Sequence, residues 1–228
     1  MSFSRRFPLV LLVGPILLSA CQQDKAPASP PTAGESASSL ADAIQVDPAK
    51  IGQPAGSDAA SPALPPDQRS PAAIAAARGE AARLAGGAIG PAPAVSTDAA
   101  AARAIADAGK RLAGGSADCG AKARPDAAWA TRVPAPLAPY PRARVIEAAG
   151  VDGGGCSLRV ISFVTAVGID DVLGYYHARV GAAGMSAVRR AEGGDQVLGG
   201  GSAMRAYMIY ARRLANGLTE VDVLTSGS

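Results

Sequence analysis

Few residue types in this chain are suited to chemistry. There are three cysteines, Cys21, Cys119 and Cys156, and one histidine, His177. A thiolate is a nucleophile and a metal ligand, and an imidazole titrates near neutrality. No cysteine–histidine set here has zinc-ligand spacing. His177 falls beside Leu173 and Val180 at helical spacing and reads as a surface or boundary residue. Asp170 and Asp171 are adjacent, so on a helix they diverge and make no acid–base pair. They suit a first helical turn, where the dipole favours negative charge. The glycine clusters Gly153–Gly155 and Gly199–Gly201 read as hairpins. Neither runs into Lys-Ser or Lys-Thr and a helix, as a phosphate loop does. No metal, cofactor or catalytic residue is therefore expected. Arg189, Arg190 and Arg205 are the candidate basic surface, if the strands that carry them pair. The competing reading is a solvated face balanced by Glu192, Asp195, Glu220 and Asp222.

The most specific stretch is the leading one. Met1–Arg6 is short and basic, and Phe7–Leu18 is apolar apart from Pro8, Gly14 and Pro15. Small residues, Ser19 and Ala20, follow. This is the order of a secretory signal peptide. The apolar run is roughly a dozen residues, short of the ~20 that a spanning helix needs. Leu18-Ser19-Ala20-Cys21 resembles the lipobox of bacterial lipoproteins. The resemblance implies cleavage before Cys21 and acylation of its thiol, with the lipid bilayer as the first partner. Several acyl chains on one residue make a durable anchor. Gln22, where an inner-membrane retention signal has Asp, implies the inner leaflet of the outer membrane, facing the periplasm, in a host with two membranes. Acylation takes Cys21 and leaves Cys119 and Cys156 as an even pair in an exported chain, where disulfides persist. They are expected to bridge; the alternative is two free thiols.

Charge adds little. Loss of Arg5 and Arg6 with the signal lowers 22 basic residues to 20, against 19 acidic ones, so the mature chain is near +1. That gives no footprint for nucleic acid.

The elements that would position these residues divide the chain into four parts: a signal peptide at 1–20, a tether at 21–69, an Ala-rich helical segment at 70–116 and an α+β domain at 117–228. The tether is rich in Ala, Pro, Ser, Gly and Asp, with too little apolar surface to offset chain entropy, so it is expected to be disordered. Ser70-Pro71 begins a helix as cap and first turn, and Gly86-Gly87 ends it. A second helix runs from Thr97-Asp98 to Gly114-Gly115. The two could pair, pack on the domain, or form only transiently. Proline-rich Asp118–Pro141 is expected to be irregular, with Trp129 covering an edge of the core.

The domain reads as strands at Arg144–Ala149, Cys156–Thr165, Met185–Ala191, Ala203–Arg212 and Leu218–Leu224, with a helix over Ile169–Ala183. Gly150–Gly155 and Asn216-Gly217 are hairpin signals. The order is β-β-α-β-β-β. It implies an α+β fold: an antiparallel sheet of about five strands with one packing helix, in two layers. Tyr140-Pro141-Arg142-Ala143, Phe163-Val164-Thr165 and Val172-Leu173-Gly174-Tyr175-Tyr176 resemble a loose pattern in envelope lipoproteins, a YPxA lead-in and a VxxFY helix. Tyr175 stands where the pattern has Phe, and Met185 where it has Trp. The resemblance implies the fold and brings no catalytic residue.

The function expected is a non-enzymatic, membrane-anchored envelope lipoprotein, a structural or protein-interaction module with an envelope protein as partner. The alternative is a small-ligand-binding or inhibitor-type periplasmic domain. Exposed Tyr207 or Tyr210 on a sheet face would favour the alternative.

Overall fold

The computed structural model describes residues 62–114 and 118–227. The signal peptide, Cys21 and the tether up to residue 61 lie outside the described residues. No helix among the described residues is long and apolar enough to cross a membrane.

Helix α1, Pro71–Leu84, starts as its sequence requires. Ser70 Oγ accepts from the Ala73 amide at 3.2 Å, and Pro71 occupies the first turn. Helix α2, Ala99–Ala113, is capped by Asp98, whose Oδ1 accepts from the Ala101 amide at 2.6 Å, and it ends on left-handed Gly114. One turn, α3, covers Cys119–Lys122, and α4 covers Ile169–Ala182. The strands are β1 Arg124–Pro125, β2 Arg144–Gly153, β3 Cys156–Thr165, β4 Ser186–Glu192, β5 Asp195–Gly201, β6 Ala206–Arg213 and β7 Thr219–Ser226.

These strands form one antiparallel seven-stranded sheet in the order β1-β2-β3-β7-β6-β5-β4. The α+β class and the antiparallel sheet agree with the sequence reading, while the strand number does not. Instead of about five strands there are seven. The two-residue β1 hides in the proline-rich lead-in. The glycine cluster Gly199–Gly201, read as part of a hairpin, is the end of β5. β2 also runs past its expected end at Ala149 as far as Gly153.

The glycines of β5 are there because other chain lies against it. A Cβ on Gly199 would stand 2.5 Å from Ile105 Cδ1 of α2, and one on Gly200 would overlap the Ser186 carbonyl. Gly150 follows the same logic in β2: its Cβ would stand 2.5 Å from Cδ2 of Trp129, which lies flat on that spot. Glycine in a strand marks close approach as readily as it marks a turn.

Alternation along the strands supplies two cores. Phe163, Tyr207, Ile209, Val221 and Val223 face α4 and meet Leu173, Tyr176 and Val180. Ala77 and Ala81 of α1 join this cluster. On the other face Leu158, Val160, Met208, Tyr210 and Leu224 meet Ile105, Ala108 and Leu112 of α2. The sheet is therefore the middle of three layers, where the sequence suggested two. Of the arrangements left open for the Ala-rich helices, both pack against the sheet domain. Ala101, Ile105, Ala108 and Leu112 recur at helical spacing and are all buried. Leu84, at the last turn of α1, is 52% exposed.

A third small cluster, Leu64, Val164 and Leu218, closes one end of the sheet, where residues 62–69 cross it. The outer edge of β4 is covered by a parallel bridge from Val95 to Arg189, with the Ser96 amide donating to the Arg189 carbonyl at 2.8 Å.

Candidate functional site

Cys119 and Cys156 form a disulfide, with Cα atoms 5.4 Å apart. It ties α3 to the start of β3, and both residues are buried in the α2-side core.

His177 lies on the exposed side of α4. Asp170 and Asp171 occupy the first turn of α4, as expected, and each is engaged by an arginine from elsewhere. Asp171 Oδ2 accepts from Arg78 Nη2 of α1 at 2.5 Å, and Asp170 Oδ1 lies 2.9 Å from Arg189 Nη2 of β4. They act as bolts between elements.

Arg189, Arg190 and Arg205 are not gathered on one surface. Arg189 and Arg190 are consecutive in β4, so they project to opposite faces. Arg189 turns to the α4 side, where Asp170, Gln196 and the Pro93 carbonyl hold it. Arg190 turns to the α2 side, near Glu192 and the Asp98 carbonyl. Arg205 sits in the turn between β5 and β6. Tyr207 and Tyr210 are 0% and 2% exposed. Tyr207 donates to the Ser186 carbonyl at 2.8 Å. Burial holds both phenols far above the ordinary tyrosine range.

Two further groups stand out; the sequence offered the carboxylates of the first only as the balance of a solvated face, and nothing of the second. The first is a polar band on the α2 side of the sheet, centred on Arg212. Its guanidinium meets Asp222, Asp195 at 3.3 Å and Glu220 at 3.4 Å, and Asp222 also accepts from Ser162 Oγ at 2.5 Å. Burial works against the charge of Arg212, but the three carboxylates outweigh it and raise its pKa. Burial raises Glu220 despite Arg212 beside it, and burial likewise raises Glu192 despite Arg190. The signal was the alternation of Glu220 and Asp222 with Val221 and Val223, but their partner on β6 depends on register. Among the described residues no group of three or more His, Cys, Asp or Glu is placed to hold a metal ion.

The second lies at the end of the sheet crossed by residues 62–69. A groove of about 650 Å³ opens there, lined by Leu64, Pro65, Ile74, Arg142, Arg144 and Val167 among others. Arg144 Nη1 donates to the Ala63 carbonyl at 2.8 Å, and Asn216 Nδ2 to that of Pro62 at 2.9 Å. Arg69 Nη2 donates to the Asn216 carbonyl at 2.6 Å. Arg69 and Arg213 both reach the β6–β7 turn, their Nη2 atoms 3.9 and 4.0 Å from where a Gly217 Cβ would be. Arg69, Arg144 and Arg213 are 69 to 144 residues apart, so no local motif joins them.

A smaller groove of about 540 Å³ lies between α1, residues 89–92 and the start of α4. Tyr140 lines it, its phenol pushed up to about 12 by burial and by nearby Asp171. Arg78 and Asp171, ion-paired, line it as well.

No protein-family model matches this chain, and no curated protein or solved structure proved similar to it.

Proposed function

We propose that this chain is an exported lipoprotein, held to the cell envelope by acylated Cys21 and presenting its α+β domain as a non-enzymatic structural or protein-interaction module. In a host with two membranes the anchor lies in the inner leaflet of the outer membrane and the domain faces the periplasm. The observation that carries the reading is the cysteine economy. The bridge between Cys119 and Cys156 suits an oxidising compartment, and it leaves Cys21, behind Leu18-Ser19-Ala20, as the thiol available for acylation. The side chains weighed for chemistry or ligand binding have structural roles. Asp170 and Asp171 join elements, and Tyr207 and Tyr210 are core.

Metabolic labelling with palmitate tests the anchor. The wild-type chain takes up label and Cys21→Ala does not; label persisting on the variant would rule out the lipobox. Crosslinking in cells from the acylated protein, followed by mass spectrometry, tests the interaction role, and recovering no specific partner would count against it.

The small-ligand reading keeps one observation in its favour, the groove of about 650 Å³, which lies within the size range of ligand sites. It loses the sheet-face version, because helices cover both faces over β6.

A further inference from the structure

The groove of about 540 Å³ between α1, residues 89–92 and α4 holds three polar atoms that the fold leaves unused. The first is the hydroxyl of Tyr140. A buried phenol ordinarily finds a partner, and Tyr176 and Tyr207 each donate to a carbonyl. Tyr140 is 2% exposed, and its ring packs edge-on against Tyr175 with 5.0 Å between centroids. Its hydroxyl nevertheless has no hydrogen-bond partner among the described residues, and the side chain lines the groove.

The other two belong to the ion pair in the groove wall. Arg78 Nε and Nη2 both donate to Asp171 Oδ2, at 3.0 and 2.5 Å. Arg78 Nη1 and Asp171 Oδ1 are left without a partner among the described residues. The rest of the wall is apolar, with Ala82, Ile89, Pro91 and Ala92. It is also firm. Ile89 and Ala92 pack on the α4-side core, and residues 89–92 lie so close to α4 that a Cβ on Gly174 would stand 2.8 Å from the Gly90 carbonyl oxygen. Asp170 borders the groove too, where Arg189 holds it at 2.9 Å.

These atoms describe a ligand. The ion pair holds a guanidinium nitrogen and a carboxylate oxygen side by side, so the groove offers neighbouring charges of opposite sign. An anion alone would meet the Asp171 carboxylate, and a cation alone would meet the Arg78 guanidinium. An α-amino acid carries its carboxylate and its ammonium on one carbon and satisfies both. The phenol, kept protonated by burial, supplies a second donor to the carboxylate. We propose that this groove binds a free α-amino acid with an aliphatic side chain: Arg78 and Tyr140 take the carboxylate, Asp171 takes the ammonium, and Ile89 and Pro91 receive the side chain. A guanidinium fork suits a carboxylate, and a few convergent polar groups in an apolar cleft of this size are what orient a small ligand. The site makes the domain a small-molecule receptor, a role that neither acylation of Cys21 nor a protein partner requires.

Titration calorimetry on the full chain in a non-ionic detergent tests it, with leucine in both enantiomers as the probe. At least one enantiomer should bind. 4-Methylpentanoate, which lacks the ammonium, and 3-methylbutylamine, which lacks the carboxylate, should each bind about tenfold more weakly or worse, the loss of a hydrogen bond to a charged group. Tyr140→Phe keeps the ring and its packing and loses only the hydroxyl, so it should weaken leucine binding by about tenfold as well. Arg78→Gln should weaken it at least as much, and Arg103→Gln, exposed on α2, should leave it unchanged. Circular dichroism checks that each variant is folded. The proposal falls if neither enantiomer binds at millimolar concentration, if either truncated probe binds as tightly as leucine, or if Tyr140→Phe binds as wild type does. Equal weakening by Arg103→Gln would overturn it too, as the mark of a general surface effect.

Discussion

Gly199 lies beneath Ile105, and that pair sets how closely α2 approaches the sheet. Gly199→Ala forces a methyl to within 2.5 Å of Ile105 Cδ1. Overpacking of this kind costs about 1–3 kcal/mol. Ile105→Val removes the clashing methyl, so the double variant should be more stable than the sum of the two single changes. Denaturant titration of the four proteins measures the coupling. Glu192 offers a second residue-scale check. Burial raises its pKa, so the folded state binds this proton more tightly than the unfolded chain does. The ionised carboxylate is then a cost, absent at low pH and complete once pH passes the raised pKa. Glu192→Gln should therefore be more stable than wild type at neutral pH, with the advantage vanishing as pH falls below the ordinary carboxyl range. Thermal melts between about pH 3 and 7, the span over which carboxyl groups titrate, would show it. An advantage that grew on acidification would refute the sign.

At the scale of elements, the disulfide joins α3 to β3 across 37 residues of sequence. In the chain-entropy account a loop of that size contributes about 4 kcal/mol. Replacing Cys119 and Cys156 by Ser should lower stability by about that much, read from denaturant midpoints. The elements also explain which parts of the fold were legible in the sequence. Ser70-Pro71, Asp98 and Asn216-Gly217 act through neighbours two to four residues away, and each placed its boundary well. The helix over Ile169–Ala182 was plain from the spacing of Val172, Leu173, Tyr176 and Val180. β5 was not, because Gly199, Gly200 and Gly201 are in a strand for reasons supplied by Ile105 and Ser186, remote in sequence. The candidate site was less legible still. Arg69, Arg144 and Arg213 converge through tertiary structure alone, whereas the adjacent Arg189 and Arg190 are parted by strand alternation.

At the scale of the whole molecule, the three-layer arrangement makes the Ala-rich helices part of the fold. Without α2, the side of the sheet carrying Leu158, Val160, Met208 and Leu224 would meet water. A chain beginning at Asp118 should then bind a hydrophobic dye and unfold without a cooperative transition, whereas one beginning at Pro62 should melt cooperatively. Equal cooperativity in the two would show that the helices are ornaments.

The strand order carries one more consequence, for timing. β7 follows every other strand in the chain, yet it lies between β3 and β6. Until it arrives, β1, β2 and β3 form one ribbon and β4, β5 and β6 another, with no ladder joining them. Helix α4 and both cores span that gap and have no closed sheet to rest on. A polypeptide threaded through a membrane with its leading end first, as proposed for this one, would thus deliver its keystone after all the pieces it locks. Non-local pairing of this kind is slow to form. On the proposed export route the delay would be useful, since a segment that cannot close early stays loose enough to pass a narrow channel and sets only on the far side.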